Sequence, residues 1–585
     1  MKKSYKILIL LSLIFLALRF LLALSVKEIG NIEIFHIGTI AKDIIEGLIM
    51  PFWDYQFSSY DGGTLLSGIL VVPFFLLFGQ TAFSFYLVAV IFSLGTLILW
   101  FLFLKKYFSE RVAYIFSVLF IVSPYLFIRS SIVLAANHIQ IVFFNIWFLF
   151  VFYKVFFNEK ENKDLAKYNY GLFVLGFISG LGTWFCYSFL VVLFVGFLFW
   201  YLCSKRFALL TLIAFLGGYL AGYSPAFFRM KTFAPLLGKE IFGELLCNDL
   251  SVFGSKMKGL FQINLSGESP DFLNCYWIGF ILLLVVLMWK NRKHFKELMI
   301  GLLPFKKIIF REPLKELPIL LYPVFFLIIY GLSNFNIIPG DTVYLHYRYL
   351  IPLFPFIFAI IALAVDYLLA CKIWFLRMMG SSLIVMFLFL SIGDTALHLR
   401  CTSFPNYAHL RAEGSSYEMF GTVICWRFKT DRSKSLRLLN SIKSEHRGGA
   451  YRGFGFEMAI TTRGDELHVY SQSIPDANDR NSFIQGYKLG FGFNYFKGTE
   501  LGESYSNIIK DTSYSESIKY FHHTVQRIGT FPEKYKSDCY KGLGVQYSAF
   551  FETIENIPFD LLLRIDPKHK KDFLEGVRLG INIKA

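Results

Sequence analysis

The first 400 positions of this chain alternate apolar stretches with short polar breaks, and that pattern restricts the fold more than any other feature. A helix needs about 20 apolar residues to cross a bilayer, and inside lipid it must satisfy its own backbone hydrogen bonds. Stretches near that length occur at 7–24, 81–103, 112–128, 138–157, 170–185, 187–203, 207–224, 275–290, 318–335, 349–370 and 374–394. Of the 585 residues, 55% are hydrophobic and only 17% charged, against about 25% charged in soluble domains. Disorder, a collagen-like repeat and a small disulfide scaffold are excluded by the same figures. The expected fold is an α-helical polytopic membrane protein with about 11–13 transmembrane helices.

The net charge of +16 does not mark a nucleic-acid binder. Residues 1–400 hold 33 Lys/Arg against 21 Asp/Glu, whereas 401–585 hold 25 against 21. The excess therefore lies in short loops between apolar stretches, where Lys and Arg mark the cytoplasmic side. The segment 64–78 decides the register. If it crosses, Lys105, Lys106 and Arg111 fall outside; if it re-enters or lies in the interface, every basic loop falls inside. The second arrangement is expected. It puts the N-terminus, Lys105-Lys106 and Lys306-Lys307 in the cytoplasm and Cys539 outside. The domains are then 1–396, a membrane domain with external loops 25–64 and 225–274, and 397–585, a soluble external domain.

That second domain carries an internal echo. Phe483-Ile-Gln-Gly-Tyr-Lys-Leu-Gly490 recurs as Phe573-Leu-Glu-Gly-Val-Arg-Leu-Gly580, and Tyr451-Arg-Gly-Phe-Gly455 as Tyr540-Lys-Gly-Leu-Gly544. Within each unit the two motifs stand 33 or 34 residues apart, the length of a helix-turn-helix repeat whose small residues let helices approach. An α-helical repeat domain is expected. The eight cysteines show no metal-ligand spacing; Cys247 with Cys275 and Cys401 with Cys425 could pair in an oxidising compartment.

Chemistry-bearing residues gather in the first external loop. Glu33, Ile37, Ile40, Ile44 and Leu48 recur at helical spacing, so 33–48 reads as an amphipathic helix on the bilayer surface. A carboxylate in such surroundings can have a raised pKa and act as a general base. Glu33 is the candidate catalytic residue, with His36 one turn along and Asp54 and Asp61 later in the loop. Arg129 and His138 flank the outer ends of two helices, and His346 and Arg348 precede another; arginine holds phosphate bidentately. Arg19 sits inside the first stretch, where a cation needs a partner.

Taken in order, these features resemble the polytopic C-type glycosyltransferases, which include the protein mannosyltransferases and the aminoarabinose lipid A transferases. The likeness covers about residues 1–400. It runs through the first helix, the acidic loop with Ala41-Lys-Asp-Ile-Ile-Glu-Gly47, Pro51-Phe-Trp-Asp-Tyr55, Gly62-Gly-Thr-Leu-Leu66, Leu76-Leu-Phe-Gly79, Ser123-Pro124 and Arg348-Tyr-Leu-Ile-Pro-Leu-Phe-Pro355. The resemblance implies transfer of a sugar from a polyprenyl-phosphate donor to a lipid, glycan or protein acceptor on the non-cytoplasmic side. It assigns the acceptor-activating role to Glu33, a substrate contact to Asp54 and the lipid-phosphate contact to Arg348. The family's common Asp-Glu pair is Ile32-Glu33 here, and no external loop carries Asp-x-Asp. No metal or other cofactor is therefore expected. Partners are expected among membrane lipids, the donor and acceptor, and a protein at the C-terminal repeat. Two rival functions are a transporter or flippase of a lipid-linked substrate and an inactive relative acting as a scaffold.

Overall fold

A computed structural model describes residues 3–25, 32–48, 51–55, 62–80, 82–134, 137–157, 165–203, 209–233, 253, 272–290, 292, 315–332, 348–400, 416–428, 431–461, 467–494, 521, 525–526, 528–529, 533–547, 557 and 559–584. Every regular element among them is helical. The chain forms two compact units, Met1–Lys27 with Gln56–Arg400, and Glu28–Tyr55 with Cys401–Ala585. The division differs from the one drawn on hydropathy by four residues at the 396/397 boundary and, more substantially, in the external loop. The segment 28–55, assigned above to the membrane domain, clusters with the C-terminal residues.

The first unit contains α1 (Lys3–Ser25), α3 (Gly63–Phe78), α4 (Ala82–Tyr107), α5 (Glu110–Ile121), α6 (Tyr125–Ser130), α7 (His138–Phe157), α8 (Leu165–Phe185), α9 (Leu190–Cys203), α10 (Leu209–Phe233), α11 (Phe272–Lys290), α12 (Leu317–Leu332), α13 (Phe354–Ala370) and α14 (Trp374–Arg400). Among the described residues, five spans are long and apolar enough to cross a bilayer: Ser4–Ala23, Phe83–Tyr107, His138–Phe157, Tyr349–Ala370 and Trp374–Ala396. The stretch 112–128, expected as one span, is divided into α5 and α6. Proline disfavours helix at the residue before it, and Ser123-Pro124 stands at the break.

Helix α13 is the centre of this unit, buried from Phe354 to Val365. Aromatic rings fill its surroundings: Tyr322 stacks on Phe356 at 3.6 Å, and Trp100 stacks on Phe116 at 5.1 Å. On α1 and α14, by contrast, Leu10, Leu13, Leu21, Val385 and Phe389 are exposed. Apolar faces of this extent need an apolar solvent or a partner.

Two buried charges pin the α5–α6 break. Arg19 is wholly buried and donates to the carbonyls of Ile121 (3.2 Å) and Phe120 (3.5 Å) while covering the Phe15 ring at 4.9 Å. Asp394 accepts from the Tyr125 N–H at 2.8 Å. A cation thus meets the last carbonyls of α5 and an anion the first N–H of α6, the signs that helix dipoles favour.

The contacts of α3 bear on whether 64–78 crosses. Helices α4 and α7 run parallel, because Tyr107 and Tyr153 at their C-terminal ends are 5.2 Å apart. That end also holds the start of α1, where Lys105 lies 4.6 Å from the Tyr5 ring. Helix α3 touches the opposite end twice. Ser67 bonds Asn137 before α7, and Phe75 meets Phe85 near the start of α4. Both ends of α3 therefore lie on the side away from Lys105.

Glycines set two close helix crossings in this unit. A Cβ on Gly176 or Gly180 of α8 would lie 2.0 Å from the carbonyl oxygen of Phe215 or Tyr219 of α10. A Cβ on Gly218 or Gly222 of α10 would meet Phe173 or Phe177 of α8 at 2.0 and 2.1 Å. Each helix presents a small-x-x-x-small face to the other, the device that brings helices together in lipid.

The second unit contains α2 (Ile32–Glu46), α15 (Ser416–Phe428), α16 (Arg432–Ser441), α17 (Ser444–Thr461), α18 (Leu467–Ser473), α19 (Ala477–Asn494), α20 (Glu533–Tyr547), α21 (Phe559–Arg564) and α22 (Lys570–Lys584). Helices α15, α17, α19, α20 and α22 pack successively. The glycines of the echoed motifs sit at the crossings. A Cβ on Gly455 would lie 2.2 Å from the Phe483 oxygen and one on Gly486 1.9 Å from that of Arg452. In the later pair, Gly544 would meet the Phe573 oxygen at 2.1 Å and Gly576 that of Lys541 at 2.0 Å.

Candidate functional site

A cluster of buried polar side chains stands where α3 and α7 begin. Asn137 donates to Thr64 Oγ1 at 3.4 Å, Ser67 donates to Asn137 Oδ1 at 3.3 Å, and Gln140 donates to Ser67 Oγ at 3.2 Å. All four are buried. Asn137 has φ +62°, in the left-handed region that only asparagine, aspartate and glycine enter at low cost. Gly62 and Gly63 let the chain in: a Cβ on Gly62 would overlap the Trp184 ring and one on Gly63 would lie 2.6 Å from Asn137 Cγ. Two buried groups in the cluster, Gln140 Oε1 and the Trp184 indole N–H, have no hydrogen-bond partner among the described residues.

Two further elements reach this cluster. His138, the first residue of α7, is buried and its ring meets Tyr349 edge-on at 4.9 Å. Tyr349 belongs to the 3-10 turn Arg348–Leu353, which packs on both α6 and α7. Arg129 is half-buried in the last turn of α6. The first N–H groups of α3 and α7 face this region as helix starts do, with partial positive charge. Two amides, two hydroxyls and an imidazole gathered at two helix starts have the chemistry to hold an anionic or hydroxyl-rich headgroup.

The second unit holds a buried carboxylate on α2. Asp43 accepts from the hydroxyls of Tyr55 and Tyr417, each at 2.7 Å. Burial pushes its carboxyl up to about 6, the charge on Glu46 adds to this, and the two hydroxyls and Lys42 oppose it. Tyr55 also stacks on Phe420 at 5.9 Å, and the His36 ring Nε2 lies 2.6 Å from the Tyr55 carbonyl oxygen. These contacts fix α2 and the following 3-10 turn Phe52–Tyr55 against α15.

The sequence candidates divide accordingly. His138 stands in the α3–α7 cluster, with Arg129 and the backbone of Arg348 on elements that adjoin it. His36 ties α2 to the turn after it. Glu33 lies in the first turn of α2 and Asp54 in the 3-10 turn, with side chains outside the described residues; Asp61 and His346 are wholly outside them. No protein-family model, curated protein or solved structure matches this chain.

Sequence reasoning missed Asp43, Tyr417, Ser67, Gln140 and Trp184. The Asp43 site joins residues 374 positions apart, which no local motif can reveal. Gln140 offered one usable signal, an amide one turn into an apolar run, where polar groups are costly.

Proposed function

We propose that this protein is a membrane glycosyltransferase that moves a sugar from a polyprenyl-phosphate carrier to a lipid, glycan or protein acceptor on the non-cytoplasmic side. The observation that carries the reading is the α3–α7 cluster, a polar site at one end of an apolar bundle with Arg129 and the Arg348 turn beside it. A lipid phosphate anchored at the bilayer edge needs helix-start N–H groups and a bidentate cation, and little acid assistance to leave. The acceptor hydroxyl needs a base, for which Glu33 is the candidate. The helices after 400 read as an external α-helical repeat that receives the acceptor or a protein partner.

Lipid extracts of cells with and without the protein test this directly. Loss of the protein should leave a polyprenyl-phosphate sugar unused and a surface glycan or lipid truncated. In reconstituted membranes, Arg348→Ala should raise the donor KM by roughly 10- to 100-fold, the usual loss for a hydrogen bond to a charged group, with kcat nearly kept. Unchanged lipids, or translocation of an intact lipid-linked substrate, would replace the transferase reading with the flippase.

The orientation follows the basic end of the bundle, with Lys105 and Lys306 cytoplasmic and Cys539 outside. An impermeant thiol reagent on intact cells should modify a cysteine introduced at the exposed position 563 and spare one introduced at 105. Labelling at 105 from outside would reverse the orientation.

A further inference from the structure

One set of side chains in the second unit has the composition of a cation site. Glu46, the last residue of α2, meets Glu445 and His446 in the first turn of α17, and one ligand atom from each lies within 4.8 Å of the others. We propose that Glu46, Glu445 and His446 bind a divalent cation of the zinc class and so join α2 to α17.

The ligands are held rather than merely near. The His446 ring lies flat on Tyr417, with centroids 4.5 Å apart and 12° between planes, and its Nε2 is 3.1 Å from Glu445 Oε1. Tyr417 is itself fixed by its hydrogen bond to Asp43. Zinc binds imidazole nitrogen and carboxylate oxygen at about 2.0–2.2 Å, so atoms within the observed spacing need only small side-chain movements to close on one ion. An imidazole beside two carboxylates favours zinc and its first-row neighbours over magnesium and calcium, which prefer oxygen alone. The place is open to an entering ion, because Glu445 is exposed and the other two are half-buried. Three protein ligands leave a fourth position for water or an anionic group.

Lys443 is the built-in competitor. Its ammonium bonds Glu46 Oε2 at 2.8 Å and would have to yield that oxygen. The charge on Glu46 also raises the Asp43 carboxyl one turn away, so an ion at Glu46 should lower the proton affinity of Asp43. This gives a readout independent of any enzymatic activity and of the sugar-transfer reading.

The test is Zn²⁺ alone, titrated calorimetrically into the purified full chain in detergent, with Mg²⁺ as the comparison ion. One Zn²⁺ per chain should bind at sites His446→Ala and Glu46→Gln weaken by roughly 10- to 100-fold or more, since even outer-shell losses cost that much. Lys443→Met should tighten binding, because it removes the competing cation and leaves all three ligands. Zn²⁺ binding that His446→Ala leaves unchanged, or that Mg²⁺ equals, would overturn the proposal. So would a folded Lys443→Met protein that binds Zn²⁺ no better than the parent.

Discussion

Gly486→Ala should unfold the second unit at a markedly lower temperature than the parent. The added Cβ would lie 1.9 Å from the Arg452 carbonyl oxygen and 2.7 Å from its carbon. The obstruction is backbone, so no rotamer change can relieve it and α17 and α19 must move apart along their shared crossing. Overpacking of cores usually costs about 1–3 kcal/mol. With backbone as the obstacle, the upper end of that range or more is expected, a drop of about 6–12 °C for a unit of this size. Gly576→Ala should do the same to the α20–α22 pair, because Lys541 presents its carbonyl at 2.0 Å. Gly529→Ala is the control, with no described atom within 4 Å of the added one. Far-ultraviolet melting of the full chain would read all three, and equal melting temperatures would refute a backbone-to-backbone crossing.

These glycines also show what sequence could reveal. The echo of Tyr451-Arg-Gly-Phe-Gly455 in Tyr540-Lys-Gly-Leu-Gly544 identified the positions, because a residue without a Cβ recurring at helix-pair spacing has few uses except close approach. Apolar length found α1, α4, α7 and α14 for a similar reason: lipid imposes one dominant rule, and a long run of Leu, Ile and Phe obeys it visibly. The break between α5 and α6 was harder to see. Hydropathy is continuous from 112 to 128, and only Pro124 and the remote charges of Arg19 and Asp394 interrupt the helix. Asp43 was illegible for a different reason. It looks like one more acid in the polar Lys42-Asp43 pair of a loop helix, and its environment is completed by Tyr417, 374 positions along the chain.

That environment separates Asp43 from Glu33, the candidate base on the same helix. Glu33→Gln should lower turnover by about 10²- to 10⁴-fold with donor binding nearly kept, because the amide keeps the shape but accepts no proton. Glu33→Asp should retain part of the activity. Asp43→Asn should change turnover less than about tenfold, since both Asp43 oxygens already accept tyrosine hydroxyls and the residue acts as a tether. Its signature is in stability instead. Burial raises the folded carboxyl to about 6 from its ordinary 3.8. A group shifted in that direction stabilises the fold fully below pH 4, and the contribution disappears as pH rises through 6. The span amounts to about 3 kcal/mol. Asp43→Asn should therefore flatten the fall in melting temperature between pH 4.5 and pH 7, since asparagine bears no charge to bury and can still accept from one tyrosine and donate to the other. Turnover and melting, measured on the same two variants, give four numbers. If Asp43→Asn abolishes turnover while Glu33→Gln spares it, the base lies at the buried carboxylate and the tether reading fails.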